Sequence, residues 1–222
     1  MQNSDKKKPQ CRQCGECCRK GGPALHTEDL PLIENGTISL AEIVTLRPGE
    51  RAYDQPAQKV VPLEAELLKI KGRNGTWTCS FLSAESNMCG IYSSRPIECD
   101  VLFCQDTDPL AAMYDKGRIT RADVMPEGHP LLELMAEHDK KCDPLRMEEL
   151  GKAAREGDTE AGQELKEMVV FDTEVRRLVA EKSGMNPEMN DFLFGRPLRV
   201  LLASMNIKVY ETGGTIRFGF NS

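Results

Sequence analysis

The sequence predicts an α+β protein, in which a small, irregular cysteine-rich metal-binding domain of short helices and strands precedes a helical region that ends in a β-hairpin. Two features of the 222-residue chain lead to this prediction. Eight of the nine cysteines lie in two groups, within 11–18 and 79–104. The cysteine-free stretch 143–222 instead has apolar residues at helical spacing and then alternating apolar runs around Gly213-Gly214. We therefore expect a disordered polar tail at 1–10, a cysteine-cluster domain at 11–142 and a helical appendage at 143–222.

Composition excludes several classes of protein. The chain has 29 basic and 35 acidic residues, a formal net charge of -6, which argues against a nucleic-acid binder. No apolar stretch approaches the ~20 residues that a membrane span requires. Residues 1–10 lack the apolar centre of a secretory signal. We therefore expect a cytoplasmic protein that binds neither nucleic acid nor membrane.

The cysteine spacing predicts metal binding. An odd number of cysteines in a reducing compartment is difficult to explain by disulfides. The first group, Cys11, Cys14, Cys17 and Cys18, reads C-x2-C-x2-C-C. Two-residue gaps let a tight turn direct successive thiolates at one centre, and Gly15 permits a positive φ between them. Backbone N–H groups of such a turn can donate to sulfur.

The second group of cysteines is spread more widely, with nine, nine and four residues between Cys79, Cys89, Cys99 and Cys104. These thiols must converge through the fold. Apolar neighbours such as Trp77 would exclude water around them. Two alternatives stay open: a redox dithiol, which requires a strand before the C-x2-C and a helix after it, and ordinary buried cysteines that pack as small apolar side chains.

Together, the C-x2-C-x2-C-C motif and the later Cys-Gly-Ile-Tyr-x2-Arg-Pro-x2-Cys stretch resemble the YkgJ-like cysteine-cluster family. That family is described as zinc- or iron-chelating and as related to part of the flagellin lysine N-methylases. The resemblance covers 11–104. It implies Tyr92, Arg95 and Pro96 as a supporting motif, and the chain departs from the family pattern at Asp100, where such proteins usually carry arginine. It implies that the metal-binding residues are Cys11, Cys14, Cys17, Cys18, Cys79, Cys89, Cys99 and Cys104.

The spacing favours an iron–sulfur cluster of the 4Fe-4S type, with zinc as the alternative. Two groups of four thiolates would suit two cubane clusters or two zinc ions. Adjacent Cys17 and Cys18 are not expected to reach one ion comfortably, so one of them serves the other site or is spare, with Cys142 as a substitute. His138, one helical turn before Cys142, is a further candidate ligand, although a packed helix face shows the same pattern. His26 and His129 are predicted to be surface or turn residues.

Local patterns predict the remaining elements. Short helices are expected at 27–34, ended by Asn35-Gly36, and after the capping box that begins at Ser39. A turn at 47–50 and strand or short helical pieces at 59–70 and 76–82 follow. Longer helices are predicted from residue 130, over 158–183 and over 196–205, with Arg176 and Arg177 on a solvated face. In the final hairpin Val209 should oppose Phe218, and Ile207 should oppose Phe220.

Three functions fit these observations. The first is a protein that binds metal or an iron–sulfur cluster and acts in electron transfer, cluster handling or sensing. The second is a cluster-dependent enzyme related to the protein lysine N-methylases, which the chain supports weakly because it has no Gly-rich cofactor loop. The third is a zinc-bound structural module whose helices recognise a protein partner.

Overall fold

The computed structural model describes residues 11–212 and 215–220, and the predicted disordered tail at 1–10 lies outside them. Contacts between Cα atoms divide the described chain into two compact units. The cysteine unit runs up to Ile38 and then comprises Ile70–Arg118. The helical unit comprises Ser39–Lys69 and the chain from Ile119 onward. The predicted domain boundary at residue 142 stays a prediction.

The cysteine unit consists of short helices joined by irregular loops. Its α-helices are α1 (Glu16–Lys20), α2 (Leu30–Glu34), α3 (Ile97–Val101) and α4 (Asp108–Met113), and its 3₁₀ turns span Thr27–Asp29, Arg73–Gly75 and Tyr92–Ser94. The predicted helix at 27–34 is confirmed, and Gly36 follows it with a φ of 77° that glycine tolerates without strain. Residues 76–82 form no strand or helix and instead contain isolated bridge pairings at Cys79 and Leu82.

The apolar core of the cysteine unit is small. Among the described residues of this unit, the buried apolar side chains are Ala24, Leu25, Ile38, Ile70, Cys79 and Leu82. The contiguous core cluster of the protein lies entirely in the helical unit. Hydrophobic burial therefore contributes less to the cysteine unit than to the helical unit.

The helical unit begins with two pairs of short strands. They are β1 (Ile43–Leu46), β2 (Arg51–Asp54), β3 (Lys59–Pro62) and β4 (Leu67–Ile70), whose last residue returns the chain to the cysteine unit. β1 pairs with β4, while β2 and β3 form an antiparallel hairpin in which Tyr53 opposes Val60. The predicted capping box is present, because Ser39 accepts from the Ala41 N–H and Glu42 accepts from the Ser39 N–H.

Six helices form most of the helical unit: α5 (Arg121–Val124), α6 (Pro130–Lys141), α7 (Pro144–Arg155), α8 (Thr159–Ser183), α9 (Asn190–Phe194) and α10 (Leu198–Ser204). The predicted helix that begins at residue 130 is confirmed as α6. The 158–183 prediction is confirmed as α8, which Asp158 caps at its start and left-handed Gly184 ends. Helix α7 was not predicted, although Asp143 as N-cap and Pro144 at the first helical position are ordinary start signals.

A hairpin closes the chain, formed by β5 (Ile207–Thr212) and β6 (Thr215–Phe220). Its register is as predicted, with Val209 opposite Phe218 and Ile207 opposite Phe220. The loop at 213–214 lies outside the described residues. Ile207 and Ile216 pack into the core cluster with Leu165 and Leu202, so one face of the hairpin is apolar because alternate residues share a face. The α+β class predicted from the sequence is confirmed.

Candidate metal centre

The first cysteine pair lies on a turn whose backbone already points at sulfur. Gln13 adopts a φ of 55°, and its N–H donates to the Cys11 Sγ over 3.3 Å. Gly15 follows with a φ of 77° and forms the N-cap of α1. Backbone N–H groups turned inward in this way stabilise anionic sulfur. The positive φ at Gly15 is as predicted.

Helix α1 carries Cys17 and Cys18, and their Sγ atoms lie 3.9 Å apart. A disulfide would require about 2.05 Å, so both are free thiols. All nine cysteines of the chain are free, and Cys17 and Cys18 are each half-buried. Two thiols at this separation can act together on one bound species.

Backbone and side-chain hydrogen bonds join α1 to the loops of the second cysteine group. The Cys79 N–H donates to the Cys18 carbonyl over 2.7 Å. Arg19 donates from Nη1 to the Cys14 carbonyl over 3.1 Å and from Nη2 to Asn87 Oδ1 over 2.7 Å. These bonds bring the segment of Cys79 and the loop before Cys89 close to the first cysteine group, in line with the prediction that the second group converges through the fold.

Arg73 holds the loop that carries Cys79. Its Nη2 donates to the carbonyls of Ser80 and Leu82, each over 2.6 Å. Isolated bridge pairings join Gly72 to Cys79 and Leu82 to Cys89. The Ser80 Oγ is buried and has no hydrogen-bond partner among the described residues. A hydroxyl of this kind, adjacent to Cys79, is a donor that bound thiolate sulfur could accept from.

Cys99 lies on α3, which the segment 24–29 anchors. The carboxylate of Glu98 accepts from the Ala24 N–H over 2.8 Å and lies 3.2 Å from His26 Nε2. Asp29, itself buried, accepts from the Ile97 N–H over 2.8 Å at the start of α3. The position of the Cys99 thiol therefore depends on groups more than 65 residues earlier in the chain.

His26 was predicted to lie at the surface or in a turn, and this prediction is wrong, because the side chain is fully buried. Its Nδ1 lies 2.7 Å from the Lys116 carbonyl, and its Nε2 faces the Glu98 carboxylate. A carbonyl oxygen can only accept, so Nδ1 donates to Lys116. His129, by contrast, lies at a chain turn, where its side chain accepts from the Leu131 N–H and caps α6.

The electrostatics of Cys99 and Cys18 report which thiols are neighbours. Burial raises the pKa of Cys99, and the charges of Cys79, Cys17, Cys18 and Cys89 raise it further. Burial, and then Cys17, Cys79 and Cys89, raise the pKa of Cys18 to about 12. Without a counter-charge these thiols therefore stay protonated at neutral pH. A bound cation would reverse this effect, since metal binding to thiols releases their protons.

Five cysteines take part in these pKa shifts and form a set here called the inner thiols: Cys17, Cys18, Cys79, Cys89 and Cys99. Both sequence groups contribute to it. Of the remaining cysteines of the two groups, Cys14 and Cys104 are exposed and Cys11 is half-buried.

The Tyr92-x2-Arg95-Pro96 motif forms a rigid turn before α3. The Arg95 guanidinium stacks over the Tyr92 ring at 4.3 Å and donates from Nε to the Cys99 carbonyl over 3.2 Å. Its Nη2 donates to Asp100 Oδ1 over 2.6 Å, so the residue at which the chain departs from the family pattern is the ion-pair partner of Arg95. A cleft of about 250 Å³ lies beside this turn.

In the helical unit, His138, Cys142 and Asp172 form a compact buried group whose potential ligand atoms lie within 4.8 Å of one another. It is the one such group of three or more among the described residues. His138 Nε2 donates to Asp172 Oδ1 over 2.8 Å, because Arg47 Nη1 lies 3.5 Å from the other ring nitrogen. The sequence gives His138 and Cys142 as candidate ligands, whereas no local pattern in it points to Asp172.

The contacts of this group fit a structural core better than a metal site. The oxygens of Asp172 also accept from Arg176 Nε over 2.7 Å and from the Leu198 N–H over 2.9 Å. A cation would have to displace these bonds beside two guanidinium groups. Burial and the charge of Asp172 raise the pKa of Cys142 to about 12, although Arg47 and Arg176 oppose the shift. The prediction that Arg176 lies on a solvated face is wrong, whereas Arg177 is half exposed.

Three features are typical of a thiol-rich metal-binding protein: hydrogen bonds join the segments of the two cysteine groups, a backbone N–H donates to the Cys11 sulfur, and the buried hydroxyl beside Cys79 has no partner among the described residues. The donor set fits zinc or iron. Residues 10–110 match the family model CxxCxxCC, described as "Putative zinc- or iron-chelating domain". This match is similar in extent and description to the zinc- or iron-chelating domain that the sequence resembles.

Two other comparisons, with curated proteins and with solved structures, gave no match. No helix within the described residues has the length and apolar character needed to cross a membrane.

Proposed function

We propose that the cysteine unit binds zinc or iron through thiolates of both sequence groups, and that the bound metal is required for this unit to fold. The observation that carries the proposal is that hydrogen bonds join the helix of Cys17 and Cys18 to the segments of Cys79 and Asn87, in a unit with few buried apolar side chains. We further propose a cytoplasmic location, because free thiols persist in a reducing compartment.

The expected contribution of the metal is large. Structural zinc bound by thiolates contributes about 10 kcal/mol or more to folding. A whole domain is stable by only about 5–15 kcal/mol. Loss of the metal should therefore unfold the cysteine unit, and this dependence would let the protein respond to metal supply or to oxidation. We therefore propose that the protein senses metal supply or oxidation, in preference to a role in electron transfer or cluster handling.

The eight cysteines are proposed to differ in importance. The inner thiols are the proposed ligands. Cys11 and Cys14, on their preformed turn, either bind the metal as well or shield it from solvent. Cys104 is exposed and is the proposed ligand with least support. The alternative of a cluster-dependent lysine N-methylase rests on the resemblance alone. A zinc-bound module that recognises a protein partner agrees equally with a metal-dependent fold.

Anaerobic purification followed by elemental analysis tests the proposal. We expect zinc or iron at one equivalent or more per chain, reduced in Cys14→Ser and in Cys99→Ser but unchanged in the control Cys142→Ser. Removal of the metal with a chelator should abolish hydrogen-exchange protection in 70–118 while the amides of α8 remain protected. A stably folded protein without any transition metal would refute the proposal.

A further inference from the structure

The cysteines of the second group lie on segments that are attached to the rest of the unit by different kinds of bond. The Cys79 segment is held by a backbone hydrogen bond to the Cys18 carbonyl. The Cys99 helix is held at its start by the buried carboxylate of Asp29. Buried bonds of this kind open rarely, because breaking them leaves polar groups without a partner.

The loop 83–88, which leads directly to Cys89, is closed by its own hydrogen bonds. The Ser83 N–H donates to the Met88 carbonyl over 2.9 Å, and the Asn87 N–H donates to the Ser83 carbonyl over 3.1 Å. Residues 84–88 are all exposed. The loop is therefore a compact surface element that can move as one piece.

The hydrogen bond that joins this loop to α1 is made by two side chains. Arg19 Nη2 donates to Asn87 Oδ1 over 2.7 Å, and both residues are exposed. Water competes for both groups, so this bond contributes less than a buried one. Of the three attachments, the one before Cys89 is expected to open first.

We propose that the bond between Arg19 and Asn87 holds the loop 83–88 against α1, and that bound metal is released when this bond breaks and the loop opens. Opening would move Cys89, which directly follows the loop, away from the thiols of α1. The two side chains are thus positioning residues, which control metal release without touching the metal. This inference rests on the proposed metal binding by thiolates of both groups.

The backbone at Asn87 permits a clean variant. Its φ of 56° lies in the left-handed region, which asparagine tolerates and glycine adopts without strain. Asn87→Gly therefore removes the acceptor of the bond without straining the backbone. Asn87→Asp keeps an acceptor and makes its bond to the Arg19 guanidinium charge-assisted.

Transfer of the bound metal, zinc or iron as purified, from the loaded chain to an excess of chromophoric chelator under anaerobic conditions tests the proposal. Asn87→Gly should release metal about fivefold faster than the wild type, as expected for the loss of one hydrogen bond. Asn87→Asp should release it no faster than the wild type. In an Arg19→Met background, Asn87→Gly should cause no further acceleration. Glu85→Ala, which removes an exposed carboxylate of the same loop, is the control and should leave the rate unchanged.

Hydrogen exchange of the metal-loaded protein locates the opening. In Asn87→Gly the amides of 83–90 should exchange faster than in the wild type while those of α3 are unchanged, whereas a general loss of stability would accelerate both.

Wild-type release in Asn87→Gly, or the same acceleration by this variant with and without Arg19, would overturn the proposal. Should Asn87→Gly hold no metal, the comparison of Asn87→Asp with the wild type still decides, because faster release from Asn87→Asp would also overturn it. A wild-type chain that binds no metal would instead refute the proposed function, so the two failures are distinguishable.

Discussion

Replacement of Glu98 by alanine should weaken metal binding without removing any thiol. Glu98 has 13% of its side chain exposed and satisfies the Ala24 N–H and the fully buried His26. Each buried group left unpaired costs about 1–3 kcal/mol, so the loss of both partners should cost the variant roughly 2–6 kcal/mol. Since α3 carries Cys99, much of this cost should appear as metal affinity. Loss of a group that orients a ligand typically lowers affinity about 10- to 100-fold.

The assay is competition for the metal against a chromophoric chelator under anaerobic conditions. Glu98→Gln is the conservative comparison, because its amide can donate to a neutral His26 and its carbonyl can still accept from Ala24. We expect it to retain affinity within a few-fold of the wild type. Glu85→Ala, which removes an exposed carboxylate of the same unit, is the control. Wild-type affinity in Glu98→Ala, or equal losses in the alanine and glutamine variants, would refute this reasoning.

Two further predictions concern the helical unit. Burial alone would raise the pKa of Asp172, but the bonds from His138, Arg176 and Leu198 outweigh it and lower that pKa to about 2. Because the pKa of Asp172 in the folded protein lies below the ordinary 3.8, this carboxylate contributes roughly 2 kcal/mol to the free energy of unfolding above pH 4. That contribution is lost as the pH falls towards 2. Urea unfolding between pH 4 and pH 2 should show that the free energy of unfolding decreases with falling pH in the wild type and decreases less in Asp172→Asn. An equal pH dependence in the two proteins would contradict this role of Asp172. Gly195→Ala should lower the free energy of unfolding, measured by urea denaturation, by about 2 kcal/mol or more. The reason is that a Cβ at this φ of 68° would lie 2.9 Å from the Thr45 carbonyl oxygen. Gly184→Ala, also at positive φ but with no atom within 4 Å, should cost less, and a reversed order would contradict the argument.

Several features could be predicted because their physical causes lie within a few residues. The Ser39 capping box, the left-handed glycine that ends α8 and the register of the final hairpin each depend on neighbouring residue types. The turn at Gly15 belongs to the same class. Local spacing also predicts that the cysteines bind metal, in agreement with the zinc- or iron-chelating domain matched over residues 10–110. It failed at α7, whose start signals at Asp143 and Pro144 were interpreted as a domain boundary.

Other features depend on partners that are distant in the sequence. The burial of His26 follows from its contacts with Glu98 and the Lys116 carbonyl. The role of Asp172 follows from His138, which lies 34 residues earlier. No local periodicity distinguishes such a buried polar residue from one on a solvated face, because both occupy similar positions in an amphipathic pattern. Arg176 was misplaced for this reason.

The sequence by itself determined the kind of chemistry, because nine free thiols and their spacing belong to the covalent chain and admit few uses other than soft-metal binding. Only the tertiary structure decided which of those thiols meet. The backbone hydrogen bond from the Cys79 N–H to the Cys18 carbonyl and the anchoring of the Cys99 helix by residues 24–29 are long-range contacts. Chain closure over such distances is governed by packing and hydrogen bonding of the whole unit, and residue spacing carries little information about it.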